Sequence, residues 1–139
     1  ELTHAAVASP LTMIASDGFM EGGRGHPRTS GSYSKVLGRY VRDLGVLTLE
    51  EALAKMTIMP ARRLEARVPA MANKARLRLG ADADITIFDP ATVIDRSTYV
   101  DATIPAEGVP YVIVAGQVVV ARGDLTGERP GRPIRAPTR

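Results

Sequence analysis

Residues 10–18 read Pro-Leu-Thr-Met-Ile-Ala-Ser-Asp-Gly (PLTMIASDG), an apolar run that stops at a carboxylate and a glycine. A short apolar run closed by turn residues is the pattern of a strand buried on both faces. The run predicts a strand over residues 11–16, with Pro10 breaking any helix before it. A long Gly-rich loop follows over residues 19–32, and long loops after buried strands tend to carry function.

Beyond the loop the period changes to that of a helix. Val36, Leu37, Tyr40, Val41 and Leu44 fall at three- and four-residue spacings, which predicts a helix over 34–44 with Gly45 as its stop. Tyr33 extends the same stripe, whose spacing marks core rather than a cofactor box. Thr48 and Glu51 have the spacing of a capping box, so a second helix starts at Leu49 and turns Leu49, Ala52, Leu53 and Met56 inward. Pro60 is expected to interrupt it, with residues 61–64 adding a further turn. From Arg76 the period drops to 2. Residues 82–88 alternate up to the turn Asp89-Pro90, and Asp82 and Asp84 are expected to face solvent. Residues 109–114 and 117–121 are β-rich runs joined by Ala115-Gly116, a hairpin. The switch from helices to strands suggests pieces of two domains: residues 1–66, then 67–121, then an Arg-, Pro- and Gly-rich tail over 122–139 expected to be extended and poorly ordered.

The chain has 139 residues, 45% of them hydrophobic, enough for a real core, but only 4% aromatic and without Trp. With no Cys it can hold neither a disulfide nor a thiolate metal site. No apolar run approaches the roughly 20 residues of a membrane span, which leaves a cytoplasmic protein without a membrane partner as the default. Net charge is +3 and the pI about 9.6. Basic and acidic residues are interleaved and no aromatics punctuate them, so nucleic acid is not an expected partner. The opening residues read like the middle of a domain, and an N-terminal part is expected to be missing.

Three stretches together resemble the metal-dependent amidohydrolase superfamily. PLTMIASDG (10–18) is similar to its last barrel strand. HPRTSGSYSKVLGRYVRDLGVLTLEEALAKMTIMPARRL (26–64) is the specific stretch, resembling the N-acyl-D-amino-acid deacylases (D-aminoacylases). RLRLGADADITIFDP (76–90) with GVPYVIVAGQVVV (108–120) is generic to many amidohydrolases. Lys74-Ala75 departs from the Arg-Gly turn usual there. The resemblance implies an α/β chain comprising the C-terminal end of a (β/α)8 barrel and the C-terminal strands of a small β-sandwich. It also implies zinc-dependent hydrolysis of N-acyl-D-amino acids by a parent enzyme. The His-x-His strand and the other metal ligands of such enzymes are absent, and His4 and His26 have no zinc-site spacing. The chain alone is therefore expected to hold no zinc and to be inactive.

In this family the strand-end aspartate is catalytic, and the position belongs to Asp17, at the barrel end where active sites lie. Its carboxylate would take a proton from metal-bound water and return it to the departing amine. Asp17 is also a candidate ligand itself, although a Ser-Asp-Gly turn by itself reads more simply as a cap. Arg28 would bind the substrate's α-carboxylate with its guanidinium fork, with Arg24 as an alternative. His26 would orient Arg28 or line the pocket, and Met20 with Phe19 would form an apolar wall. The ordinary readings are a solvated arginine, a structural histidine and simple packing. Glu50 and Glu51 belong to the helix start rather than to acid–base chemistry, and His4 reads as incidental. Rival readings are a hydantoinase-, dihydroorotase- or isoaspartyl-dipeptidase-like enzyme, or a non-catalytic fragment acting as an interaction module. Unpaired strand edges predict self-association of the isolated chain.

Overall fold

Gly45 and Thr48 organise the helical half of the molecule. In the computed structural model, which describes residues 1–137, Gly45 adopts φ +58, a left-handed conformation that costs glycine little. There the amides of Gly45 and Val46 turn back onto the carbonyls of Val41 and Tyr40. Three residues later the Thr48 hydroxyl accepts from the Glu51 amide at 3.2 Å, and the Glu51 carboxylate accepts from the Thr48 amide at 2.8 Å. The capping box forms as its spacing predicts and starts α3 (Leu49–Met56). Glu51 is held below the usual carboxylate range by that backbone hydrogen bond, then by the Thr48 hydroxyl.

The preceding helix begins earlier than expected. α2 spans Arg28–Lys35 and runs without a break into a π-helical stretch, Val36–Asp43. Apolar residues at 36, 37, 40, 41 and 44 do not distinguish the two windings over two turns, which is why the spacing did not reveal the π form. Val36 meets Leu47 and Ala52 in the core, with Val7, Ile14, Tyr40, Val41 and Met56 packed around them. Tyr33 instead stays exposed. Pro60 does not interrupt a helix: it lies in the first turn of α4 (Ile58–Glu65), where its missing N–H costs nothing. The break falls at Thr57, with φ −130 and ψ −80. A short α1 (Leu2–Ala8) precedes all of these, and a 3-10 turn (Pro69–Asn73) follows them.

The expected buried strand over residues 11–16 does not form: Leu11 lies in a turn and residues 12–16 have no regular secondary structure. Leu11 is 92% exposed, and no strand among the described residues pairs with the segment. A strand buried on both faces needs neighbours, and the described residues supply none. Thr12, Ile14 and Ser16 are half-buried, alternating with exposed residues. The segment is strapped to α3 by the Ile14 amide on the Lys55 carbonyl (3.1 Å) and by the Lys55 side chain. That ammonium, 4% exposed, donates to the Ser9 carbonyl, the Thr12 carbonyl (3.0 Å) and the Thr12 hydroxyl (3.2 Å). The expected loop 19–32 contains a small hairpin, β1 (Met20–Glu21) with β2 (Arg24–Gly25), before α2 begins.

The second half is a four-stranded antiparallel sheet in the order β3 (Ile85–Ile87), β4 (Tyr111–Val114), β5 (Gln117–Ala121), β6 (Asp124–Leu125). Ala115 (φ +49) and Gly116 (φ +79) make the two-residue turn between β4 and β5, as expected for a right-twisted hairpin. β6 takes residues 124–125 of the expected tail into the sheet, while positions 138 and 139 lie outside the described residues. Asp82 and Asp84 are exposed, as expected, but they are also paired. They bracket the Lys74 ammonium at 2.9 and 2.5 Å, and Asp84 also accepts from the Ala115 amide at 2.8 Å. Between β3 and β4 the chain makes an excursion back to the helical half. Val93 is fully buried there, Arg42 donates to its carbonyl at 2.7 Å, and Gly38 lies so close that a Cβ would collide with the same oxygen.

Candidate active site

Asp17 ends the segment with φ +45, a left-handed conformation that aspartate tolerates better than most residues. Gly18 follows, and a Cβ there would meet the Thr29 Cα at 2.8 Å, so the turn sits tightly against the start of α2. The Ser16 hydroxyl accepts from the Gly18 amide at 3.2 Å. These constraints aim the Asp17 carboxylate at α2, where its Oδ2 lies 2.9 Å from Nη2 of Arg28. Asp17 nevertheless remains 87% exposed, so water and solutes reach it freely.

Arg28 lies not in a loop, as expected, but at the first position of α2. Its amide donates to His26 Nδ1 at 3.1 Å, which places the proton of a neutral imidazole on Nε2. The His26 ring meets Tyr99 edge-on, with centroids 4.9 Å apart and planes at 79°. The loop itself is pinned by the Thr29 hydroxyl donating to the Phe19 carbonyl (2.9 Å) and the Thr29 amide to the His26 carbonyl (2.9 Å). The structure therefore brings Asp17, His26 and Arg28 together. Met20 is half-buried in β1, its neighbour Phe19 is 70% exposed, and Arg24 is exposed on β2. His4 meets Tyr40 edge-on with ring centroids 5.6 Å apart, a packing contact within the helical half.

Chemically the pair offers a carboxylate able to accept a proton and a guanidinium with several N–H donors beyond the one facing Asp17. Among the described residues no three His, Cys, Asp or Glu side chains gather as a metal would require. The described residues do not by themselves fit a zinc ion. A cleft of about 1020 Å³ lies elsewhere, between Met56, Pro60, Met71, Lys74, Asp84 and tail residues 130–134, and none of Asp17, His26 or Arg28 lines it. Lys74 is pushed above the usual lysine range by its hydrogen bond to Asp84, then by Asp82. Asp84 is pushed down by the Ala115 amide first and Lys74 second. That cluster is internally satisfied. No helix is long and apolar enough to cross a membrane among the described residues.

Two supporting residues escaped the sequence reading. Lys55, which holds the segment leading to Asp17, lies three residues after the buried Ala52, a spacing that puts it on the inward face. Tyr99 carries no local signal, because its partner is 73 positions away in sequence.

Residues 13–120 match the model of the amidohydrolase family. The chain is 44% identical over 123 residues to an N-acyl-D-glutamate deacylase, and 42% identical over 123 residues to a D-aminoacylase, both of Alcaligenes xylosoxydans xylosoxydans. Each alignment takes in 88% of this chain but 24% of the relative, so the chain spans about a quarter of the length of the curated relatives it matches. Among solved structures, a D-aminoacylase studied for its binuclear metal centre superposes with a TM-score of 0.80 at 38% identity, covering 90% of this chain and 25% of that one. An N-acyl-D-glutamate deacylase from Bordetella bronchiseptica, complexed with zinc and a phosphonate mimic of the tetrahedral intermediate, gives 0.79 at 40% identity, covering 96% and 27%.

Proposed function

This chain belongs to the amidohydrolase family, and from that membership we propose that it is the C-terminal part of an enzyme that hydrolyses the amide bond of N-acyl-D-amino acids. The observation that carries the reading is the 2.9 Å approach of Asp17 to Arg28 on an open face. It sets a proton acceptor beside a cation suited to a free α-carboxylate. The deacylase relatives at about 40% identity support the substrate class.

In this reading residues 1–66 are the last strand and helices of a (β/α)8 barrel, and residues 67–121 are strands of a β-sandwich. Residues 122–139 are a tail. Arg28 binds the substrate carboxylate through two parallel N–H donors, and His26 fixes the backbone from which Arg28 projects. Met20 contributes an apolar wall. Asp17 accepts a proton from the attacking water as its oxygen bonds to the amide carbon. It returns that proton to the nitrogen as the C–N bond breaks, leaving a carboxylic acid and a free D-amino acid. Zinc is the cofactor proposed for the whole enzyme, on ligands outside this chain.

The test is hydrolysis of N-acetyl-D-glutamate and other N-acetyl-D-amino acids by the full-length, zinc-supplied protein and its Asp17→Asn variant. The variant is expected to lose roughly 10²- to 10⁴-fold in kcat, the usual contribution of a general base. Undiminished turnover in the variant would remove Asp17 as the base. Inactive wild-type protein on every N-acyl-D-amino acid would sink the substrate class.

A further inference from the structure

The excursion between β3 and β4 reaches the candidate active site, and the chemistry above makes no use of it. Ser97 Oγ donates to the Pro27 carbonyl at 2.8 Å, and in the other direction Ser30 Oγ donates to the Ala102 carbonyl at 2.6 Å. Between those two fastenings Tyr99 lays its ring against the edge of His26. The two segments touch backbone to side chain: a Cβ on Gly31 would come within 2.8 Å of both the Asp95 Cβ and the Ser97 hydroxyl. Tyr99 is 82% exposed, so its contact with His26 is not a by-product of core burial.

We propose that residues 97–102 form a buttress that sets the position of Arg28, with Tyr99 as its positioning residue acting through His26. The inference rests on the reading of Arg28 as the carboxylate binder. The path is short. Tyr99 limits rotation of the imidazole, the imidazole offers Nδ1 to the Arg28 amide, and that bond fixes where the Arg28 Cα stands. The Pro27 carbonyl, which accepts from the Gly31 amide at 2.9 Å, takes Ser97 as a second donor from the other segment. The guanidinium that meets the substrate is thus placed by a segment at least 69 positions downstream of it, from within the β-rich half.

The experiment uses the full-length enzyme and its Tyr99→Ala and Tyr99→Phe variants. They are assayed on N-acetyl-D-amino acids and on the matching α-carboxamides, which lack the charged carboxylate. An edge-on ring contact is worth a factor of roughly 2 to 10. Tyr99→Ala is expected to raise KM for the acids by about that factor, with kcat changed less than about twofold and the carboxamides unaffected. Tyr99→Phe should match the wild type, because the contact needs the ring and not the hydroxyl. An unchanged KM in the alanine variant, an equal loss on carboxamides, or a phenylalanine variant as impaired as alanine would each overturn the buttress. If the wild type hydrolyses no N-acyl amino acid, the deacylase reading fails by itself. Amide exchange at Arg28 then decides the buttress. Faster exchange in Tyr99→Ala with the wild-type rate in Tyr99→Phe upholds it, and equal rates in all three proteins overturn it.

Discussion

The ammonium of Lys55 is held by oxygens from Ser9 and Thr12 and forms no ion pair with a carboxylate among the described residues. Its role is mechanical: it ties the segment that ends in Asp17 to the C-terminal turn of α3. Lys55→Met keeps the bulk but removes the donor, leaving the Thr12 carbonyl without a partner in a half-buried place. We expect a loss of about 1–3 kcal/mol in urea unfolding, and an unchanged midpoint would show that water replaces the ammonium. Asp17, His26 and Arg28 were singled out through the family resemblance of their motifs, and the structure brings the three side chains together. Lys55 and Tyr99 were not singled out, since each acts on a partner tens of residues away. Asp82 and Asp84 face solvent as expected, but their pairing with Lys74 and, for Asp84, the Ala115 amide was not legible, for the same reason.

At the scale of elements, the Lys74–Asp84 pair fastens the β4–β5 turn to the loop that precedes β3. Asp84 has a depressed pKa, so its contribution is present above the ordinary carboxylate value and fades as pH falls through the lower folded value. Lys74 has a raised pKa, so its contribution is full below the ordinary lysine value and fades as pH rises through the higher folded one. Asp84→Asn should therefore lower the melting temperature by a constant amount from about pH 5 to 9, and the difference should shrink below about pH 4. A difference independent of pH down to about pH 2 would mean the hydrogen bond, not the charge, does the fastening. The start of α3 and the hairpin turn were readable because caps and turns are written in neighbouring residues. The π winding of residues 36–43 was not, and neither was the early start of α2 at Arg28. Packing of Gly38 and Arg42 against Val93 lies outside any local pattern. Ala75 adopts φ +57, a conformation in which glycine would be relaxed, so the structure keeps the turn even where the residue departs from the usual Gly.

Taken whole, the molecule leaves much apolar surface in water. Leu11, Phe19, Leu77 and Leu79 are 92%, 70%, 88% and 104% exposed, and the segment 11–17 pairs with no strand among the described residues. Patches and edges of this kind invite association. We expect the isolated 139-residue chain to sediment as dimers or larger species at micromolar concentration. A monodisperse monomer with a cooperative melt would refute this. The same chain should show no deacylase activity alone, with or without zinc, because its described residues assemble no metal cage.

The return of residues 93–102 onto α2 and its π extension also bears on how such proteins can diverge. Gly38, Ser30 and Pro27 are matched to Val93, Ala102 and Ser97 across the gap between the halves. A genetic crossover between two deacylases that falls anywhere in residues 67–92 would inherit one side of that match from each parent. A crossover after residue 108 would inherit both sides from the same one. In a recombination library, surviving breakpoints should therefore cluster beyond Gly108, not at the helix-to-strand switch where a domain boundary would be drawn by eye.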